Sequence, residues 1–356
     1  MAKTFTFQWH ITDYCDQRCR HCYIFAGNGS KPLYNMNIGQ MRDVVGLCEE
    51  FTAKLGLRPF FCISGGDPLL NPDFFKLMEL LRDKEYNSFI LGNPYHLTDE
   101  VCVFLKSCGV LCYQVSLDGA ETTHDYFRKQ GSYQKTLEAI PMISRNGIRA
   151  HVMMTVSQIN YKELPDVMDA AEKYGADSFS FARYVPTSKD KENGIPPLEY
   201  RALLDTYMKK RREFTKAGSF TRFQLKDHLF TLYAYEEGLI KLPEYEHKPG
   251  EPMLAGCQCC NNNMVILPDG DVMACRRAAS SVLGNIFKDD LSKLLEKDIS
   301  KYRQYDKITP CNRCILSPWC RGCHAVAEGT TGDFFSPDPQ CWHVVAKKEE
   351  RKIKNF

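Results

Sequence analysis

Apolar and polar positions over the first two thirds of the chain fall into two alternating patterns. Short runs rich in Phe, Ile, Val and Tyr at 5–12, 60–64, 88–92, 111–117, 150–156 and 178–183 are bounded by Gly, Pro, Asp or Asn and predict strands. Between them, 38–55, 72–84, 98–107, 133–146, 161–174 and 198–217 are of helix length. Asn71-Pro72-Asp73 offers a cap, a proline and an acidic first turn, and Gly109, Gly147 and Gly175 stand where helices end in a left-handed residue. Six strand–helix units in series predict an α/β fold, a parallel sheet with helices outside, as an open sheet or a partial barrel. Active sites of such folds gather at the C-terminal ends of the strands, and the unusual residues of this chain fall in the loops there.

That pattern stops near residue 226. Residues 227–256 carry Pro243, Pro249, Gly250 and Pro252 and read as a bridge; 257–345 form a second, small, cysteine-dense domain, and 346–356 a tail. The formal net charge of +2 gives no basic surplus for a nucleic-acid partner, and 44% hydrophobic with 25% charged residues is ordinary for a globular protein. Residues 1–10 alternate like a strand rather than a secretory signal, and no apolar run is long enough to span a membrane. A cytoplasmic location is expected. Seventeen cysteines then need a role other than disulfides. Three crowd into 15–22, nine fall between 257 and 341, and the remaining five (Cys48, Cys62, Cys102, Cys108, Cys112) sit in apolar stretches and read as small buried hydrophobes.

Cys15, Cys19 and Cys22 follow the first strand directly, spaced x3 and x2. Three thiolates so spaced can hold three irons of a cubane cluster and leave the fourth open, as a catalytic metal site requires. Structural zinc wants a fourth ligand, and no Cys or His pair at zinc-finger spacing follows nearby. The CxxxCxxC loop after the first strand of a strand–helix series resembles that of the radical S-adenosylmethionine (SAM) superfamily, with a partial (β/α)6 TIM-like barrel as its fold. The resemblance implies that SAM binds the open iron and yields a 5′-deoxyadenosyl radical. It further implies SAM contacts from His21, from Ser64, Gly65, Gly66 and Asp67 in the Ser-Gly-Gly-Asp-Pro turn, from Ser116, Arg128 and from Arg183. Asp67 replaces the superfamily's usual glutamate.

The C-terminal cysteines form a second pattern: Cys257, Cys259 and Cys260, then Gly270-x4-Cys275, then Cys311-x2-Cys314-x5-Cys320-x2-Cys323, and Cys341. Read alone, the stretch 311–323 is also a zinc-ribbon pattern. The whole array resembles the SPASM extension, departing in the x2 between Cys320 and Cys323 where x3 is usual. The resemblance covers about 5–343 and implies three [4Fe–4S] clusters. The first auxiliary cluster would take Cys257, Cys260, Cys275 and Cys323, with Cys259 as the alternative to Cys260; the second would take Cys311, Cys314, Cys320 and Cys341. Arg276 and Arg277 stand where sulfatase maturases have a catalytic aspartate, which argues against that activity. They suit an anionic cluster or a substrate carboxylate.

The leading expectation is a maturase of a ribosomally made precursor peptide, forming a thioether or C–C crosslink. Peptide epimerisation and a tetrapyrrole-type small-molecule reaction are the alternatives, and a zinc-rich binding module is the non-enzymatic one. Implied partners are the precursor peptide and a low-potential flavodoxin- or ferredoxin-like electron donor. Because only 14 residues precede the cluster loop, a leader-binding domain would have to come from a separate protein, unless the precursor binds the core directly. No catalytic base can be chosen by spacing among Asp118, Glu121 and Asp271.

Overall fold

The computed structural model describes residues 3–25, 32–187, 190–243, 245, 248, 250–255, 259 and 261–344. Six parallel strands carry the barrel: β1 (Thr4–His10), β2 (Arg58–Ser64), β3 (Ser88–Leu91), β4 (Val110–Ser116), β5 (Arg149–Val156) and β6 (Ser178–Arg183). Their crossovers are helices α1 (Ile38–Lys54), α2 (Phe74–Asp83), α3 (Asp99–Ser107), α4 (Glu121–Phe127), α5 (Ser132–Arg145) and α6 (Leu164–Lys173); α7 (Pro197–Lys216) leads on to a short parallel strand β7 (Arg222–Phe223). After α8 (Phe230–Glu236) come β8 (Asn263–Ile266), β9 (Asp271–Met273), β10 (Val282–Asn285), α9 (Leu291–Tyr302) and α10 (His324–Thr331). Among the described residues no helix is long and apolar enough to cross a membrane.

The sheet is one ten-stranded, unclosed surface in the order β10-β9-β8-β1-β2-β3-β4-β5-β6-β7. The fold is thus the expected partial barrel, and its sheet runs on into the cysteine-rich segment: β8 pairs parallel with β1, Gln8 opposite Val265. Alternation decides which side chains face the helices. On β1, Phe5, Phe7 and Trp9 are buried against them, with Phe51 of α1 edge-on to Phe5 at 5.0 Å. The intervening Thr6, Gln8 and His10 face the lumen. Full burial of each such aromatic is worth about 1.5–3 kcal/mol, so this layer fixes strand register.

Helix ends follow local chemistry. Asn37 and Gln40 close a reciprocal capping box at the start of α1. The expected glycine stops are real: Gly109, Gly147 and Gly175 have φ of 78°, 75° and 76°. Asn71 accepts from the Asp73 N–H at 2.8 Å just ahead of α2, as the expected cap would, and also does more. Its amide is buried and donates to the Ile11 and Met36 carbonyls at 2.8 and 3.0 Å, and helix α2 begins only at Phe74. Asp73 instead accepts from Ile38 N–H at the start of α1, joining two helices. The stretch expected as a bridge contains α8, which buries Leu232 and Tyr233.

Candidate active site and cluster sites

The loop after β1 carries Cys15, Cys19 and Cys22, and the loops after β2, β3 and β4 hold it. Gly66 N–H donates to the Thr12 carbonyl and Asp67 N–H to that of Tyr14, both at 2.8 Å. A Cβ on Gly66 would lie 2.1 Å from the Tyr14 oxygen, and one on Gly65 would lie 2.3 Å from that of Thr12. The two glycines therefore let the backbones touch. Behind β3, Asn93 donates to Asp16 at 2.9 Å and lies 3.8 Å from the Cys15 sulfur, while His96 Nε2 is 3.0 Å from the same carboxylate. Behind β4, the Arg128 Nη1 lies 3.4 Å from Gln17 Oε1 and 3.7 Å from the Cys19 sulfur.

Asp118 is the node that aims Arg128. It is fully buried and accepts from Arg128 Nε at 2.6 Å and from Thr155 N–H at 2.8 Å. Burial would raise its pKa, but Arg128, His21 and His124 hold it below the usual carboxylate range. The His21 ring approaches the same carboxylate at 3.4 Å; burial takes its pKa down to about 4, so this is a polar contact of a neutral ring. Of the three acids considered as bases, Asp118 is thus committed to Arg128. Glu121 opens α4, and Asp271 accepts from Asn285 at 3.1 Å.

Burial pushes the Cys19 thiol up to about 11, with Cys22, Asp118 and Cys15 adding and Arg128 opposing. Cys15 and Cys22 are raised by burial too. Such thiols stay protonated unless a metal draws off their protons. Around the loop, Gln17 Nε2, His21 Nδ1, Ser64 Oγ and Asp67 Oδ2 are buried without a partner among the described residues. Each would cost about 1–3 kcal/mol if left so, which suits residues awaiting a ligand. Burial also lifts the Asp67 carboxyl to about 7. Three thiols and a ring of orphaned polar atoms fit a cluster with a polar ligand beside it.

A cavity opens next to this loop, lined by His21, Phe127, Thr155, Ser157, Tyr184 and Asn193 among others. Within the set expected for SAM, His21 lines this cavity; Ser64, Gly65, Gly66, Asp67 and Arg128 cluster on the cysteine loop, and Ser116 ends β4. Arg183 is turned elsewhere. Its guanidinium is buried and bonded to Asp227 at 2.8 Å, to Asp338 through two contacts at 2.8 and 2.9 Å, and to Gln340 at 2.9 Å. Tyr184, its chain neighbour, takes the place at the cavity wall.

In the C-terminal segment, Cys311, Cys314, Cys320 and Cys341 line one largely apolar cavity with Leu229, Leu232 and Asp338. This brings together the four residues expected for one auxiliary site. Of the other set, Cys257 and Cys260 lie outside the described residues. Burial would raise the Cys323 thiol, but Arg277, 3.8 Å away, with His228 and Arg183, pulls it below its usual value. Cys259 is buried, and its carbonyl accepts from Arg321 at 3.0 Å. Among the described residues no three cysteine sulfurs lie within 4.8 Å of one another. Tetrahedral zinc with 2.3 Å bonds would bring sulfurs to about 3.8 Å, closer than any trio of described cysteines stands. All fifteen described cysteines are free thiols.

Several site residues carry no sequence signal of their own. Asn93, His96 and Gln17 became visible only when the loops came together, although the loop after β3 was a place to look. Cys62 and Cys112 also depart from the buried-hydrophobe expectation: both are half-buried and face the lumen, whereas Cys48, Cys102 and Cys108 are fully buried.

Comparison with known proteins agrees with this geometry. The sequence model of the radical SAM superfamily matches residues 9–171, and that of SPASM, an iron–sulfur cluster-binding domain, matches 257–324. The chain belongs to the radical SAM superfamily and carries a SPASM extension. It is a radical SAM enzyme, and SAM and iron–sulfur clusters are its cofactors. It is 27% identical to an AdoMet-dependent heme synthase of Methanosarcina barkeri, over 96% of this chain and 97% of that protein. It is 26% identical to the mycofactocin maturase MftC of Mycolicibacterium smegmatis, over 96% and 84%. Streptococcus suis SuiB bound to its precursor peptide SuiA shares the fold, with a TM-score of 0.73 at 18% identity over 96% and 76%.

Proposed function

We propose that the chain removes a hydrogen atom from an organic substrate held over the barrel lumen and completes a two-electron oxidation of it. Cys15, Cys19 and Cys22 would hold the cluster that, with SAM, supplies the 5′-deoxyadenosyl radical. Cys275 and Cys323, with Cys257 and Cys260, would hold a second cluster, and Cys311, Cys314, Cys320 and Cys341 a third. Ser64, Gly65, Gly66, Asp67, Ser116 and Arg128 would bind the methionine end of SAM, and the cavity at His21 and Tyr184 its adenosine.

The observation that carries the oxidative reading is the position of Tyr23. This residue follows Cys22, and its hydroxyl lies 3.3 Å from His10 Nε2. The residue is 37% exposed, yet the walls around the hydroxyl desolvate it and raise its pKa to about 12, and Arg276, Cys22, Arg277 and Cys275 all lie within electrostatic reach. An auxiliary cluster ligand is thus close to the radical-generating loop, as removal of a second electron needs. Epimerisation has no use for such an acceptor.

The substrate read from the sequence is a ribosomal precursor peptide, crosslinked through a thioether or C–C bond. The similarity to a peptide maturase supports it, and a separate leader-binding protein and a flavodoxin- or ferredoxin-like donor would go with it. A second reading, oxidation of a tetrapyrrole side chain, is favoured by the heme synthase, whose length this chain matches almost end to end. Reaction in D2O with candidate peptide or porphyrin, followed by mass spectrometry, tests both. Crosslinking predicts a loss of two hydrogens from the peptide; a deuterium gained without net loss would sink the oxidative reading. Cys19→Ala should abolish SAM cleavage, whereas Cys314→Ala should spare part of it and impair substrate turnover. Equal and complete loss in a folded Cys314→Ala protein would contradict that division of labour.

A further inference from the structure

We infer that the barrel lumen is a carboxylate-binding site, with Lys226 and Arg276 as its cationic anchors. The inference deepens the proposed hydrogen abstraction and rests on it, since the lumen is where the substrate would enter.

Register fixes which residues point inward. Gln8, Cys62, Phe89 and Cys112 are paired in one row across β1 to β4, and His151, Ser178 and Arg222 in another across β5 to β7. Phe223 packs outward, stacked on Phe214 at 4.6 Å, so Gln224 and Lys226 continue the inward face of Arg222. Along these faces, from Thr6 to Lys226, there is no aspartate or glutamate at an inward position. There are cations. Arg276 reaches in from the turn after β9, where its Nε lies 3.2 Å from the Gln8 amide oxygen and its guanidinium 5.5 Å from the Tyr23 ring.

Lys226 has no ion pair among the described residues. Its side chain is accessible, yet burial lowers its pKa, Arg276 pushing the same way. Accessibility together with desolvation places it on the wall of an open interior space rather than on the outer surface. The strongest electrostatic influences on it are Arg276, Cys62, Cys112 and Arg277, and no carboxylate ranks with them. His151, between Ser178 and Ser180 at 2.8 Å each, and His10 are held neutral by burial and add hydrogen-bonding groups without negative charge. Two cations on the lumen wall, of which Lys226 is desolvated, with no carboxylate paired to either among the described residues, favour an anion from outside, and a lysine–arginine pair suits a carboxylate.

Two sources offer that group: a propionate of a tetrapyrrole, or the C-terminal carboxylate of a peptide. Anaerobic holoenzyme would be titrated with coproporphyrin III and its tetramethyl ester, and with a short peptide bearing a free or an amidated C terminus. The charged member of at least one pair should bind tenfold or more tighter than its uncharged form, and the pair that shows it names the source. Lys226→Met should erase that difference, Lys226→Arg should keep it, and Gln224→Glu, which adds an inward carboxylate, should reduce it. If neither charged form outbinds its uncharged partner in the unmodified enzyme, or if Lys226→Met with full iron content leaves the difference intact, the assignment falls. The radical reading is tested separately, by 5′-deoxyadenosine release from SAM and reductant in the unmodified enzyme.

Discussion

At Gly66 there is no room for a methyl group, because a Cβ would meet the Tyr14 carbonyl oxygen at 2.1 Å and part the 65–67 backbone from the cysteine loop. Relief requires moving backbone rather than a flexible side chain, which typically costs about 1–3 kcal/mol. Gly66→Ala should therefore lower SAM affinity, measured by equilibrium binding, more than it lowers the iron content of the C-terminal sites. Asp118 acts on the same loop through Arg128. Asp118→Asn removes one partner of a buried pair, a change worth about 3–5 kcal/mol, and should shift the denaturation midpoint while weakening SAM binding. The glycine pair, the three cysteines and Arg128 were legible from the sequence because each belongs to a short motif. Asp118 was legible as an acid but not as the partner of Arg128, since a ten-residue spacing across a loop has no periodicity to reveal it.

Strands β1 to β6 and their long helices were legible because period and end signals agree there. Helix α4 was not, because seven residues with an exposed Tyr126 just before the buried last residue, Phe127, give too little of a pattern. Nor was the attachment of the cysteine-rich segment. Arg183 fastens β6 to Asp338, whose carboxylate also accepts from the Cys323 N–H at 2.8 Å and the Gln340 N–H at 2.9 Å, and Arg183 and Asp338 stand 155 residues apart. Its charge suggested a ligand contact at the strand end, whereas burial demanded internal counterions. Asp338→Asn should leave Arg183 buried with one carboxylate, Asp227, and loosen the segment that carries Cys323 and Cys341. The expected result is faster limited proteolysis of the C-terminal segment and reduced iron there, with the SAM site less affected.

For the molecule as a whole, buried neutral histidines set an acid limit on stability. Burial, with Lys226 adding, lowers His151 to about 3 from the ordinary 6.5. His124 falls to about 4, again chiefly by burial. Between those values and 6.5 the unfolded chain binds protons that the folded chain refuses, so this stability is complete above pH 6.5 and declines as pH falls. For His151 alone the loss at pH 5 is about 2 kcal/mol, at 1.36 kcal/mol per pH unit. Urea midpoints at pH 7 and pH 5 should show the decline, and His151→Gln should shrink the gap between them. The seating of β1 between β2 and β8 bears on how the molecule is made. A ribosome that has finished β1 must add about 250 residues before β8 emerges, roughly 13–50 s at 5–20 residues per second. Through that interval one edge of the nascent strand stands unpaired, open to strands of other chains. Biogenesis in the cell thus hinges on shielding the main-chain edge of Thr6–Trp9 until Asn263–Ile266 arrives.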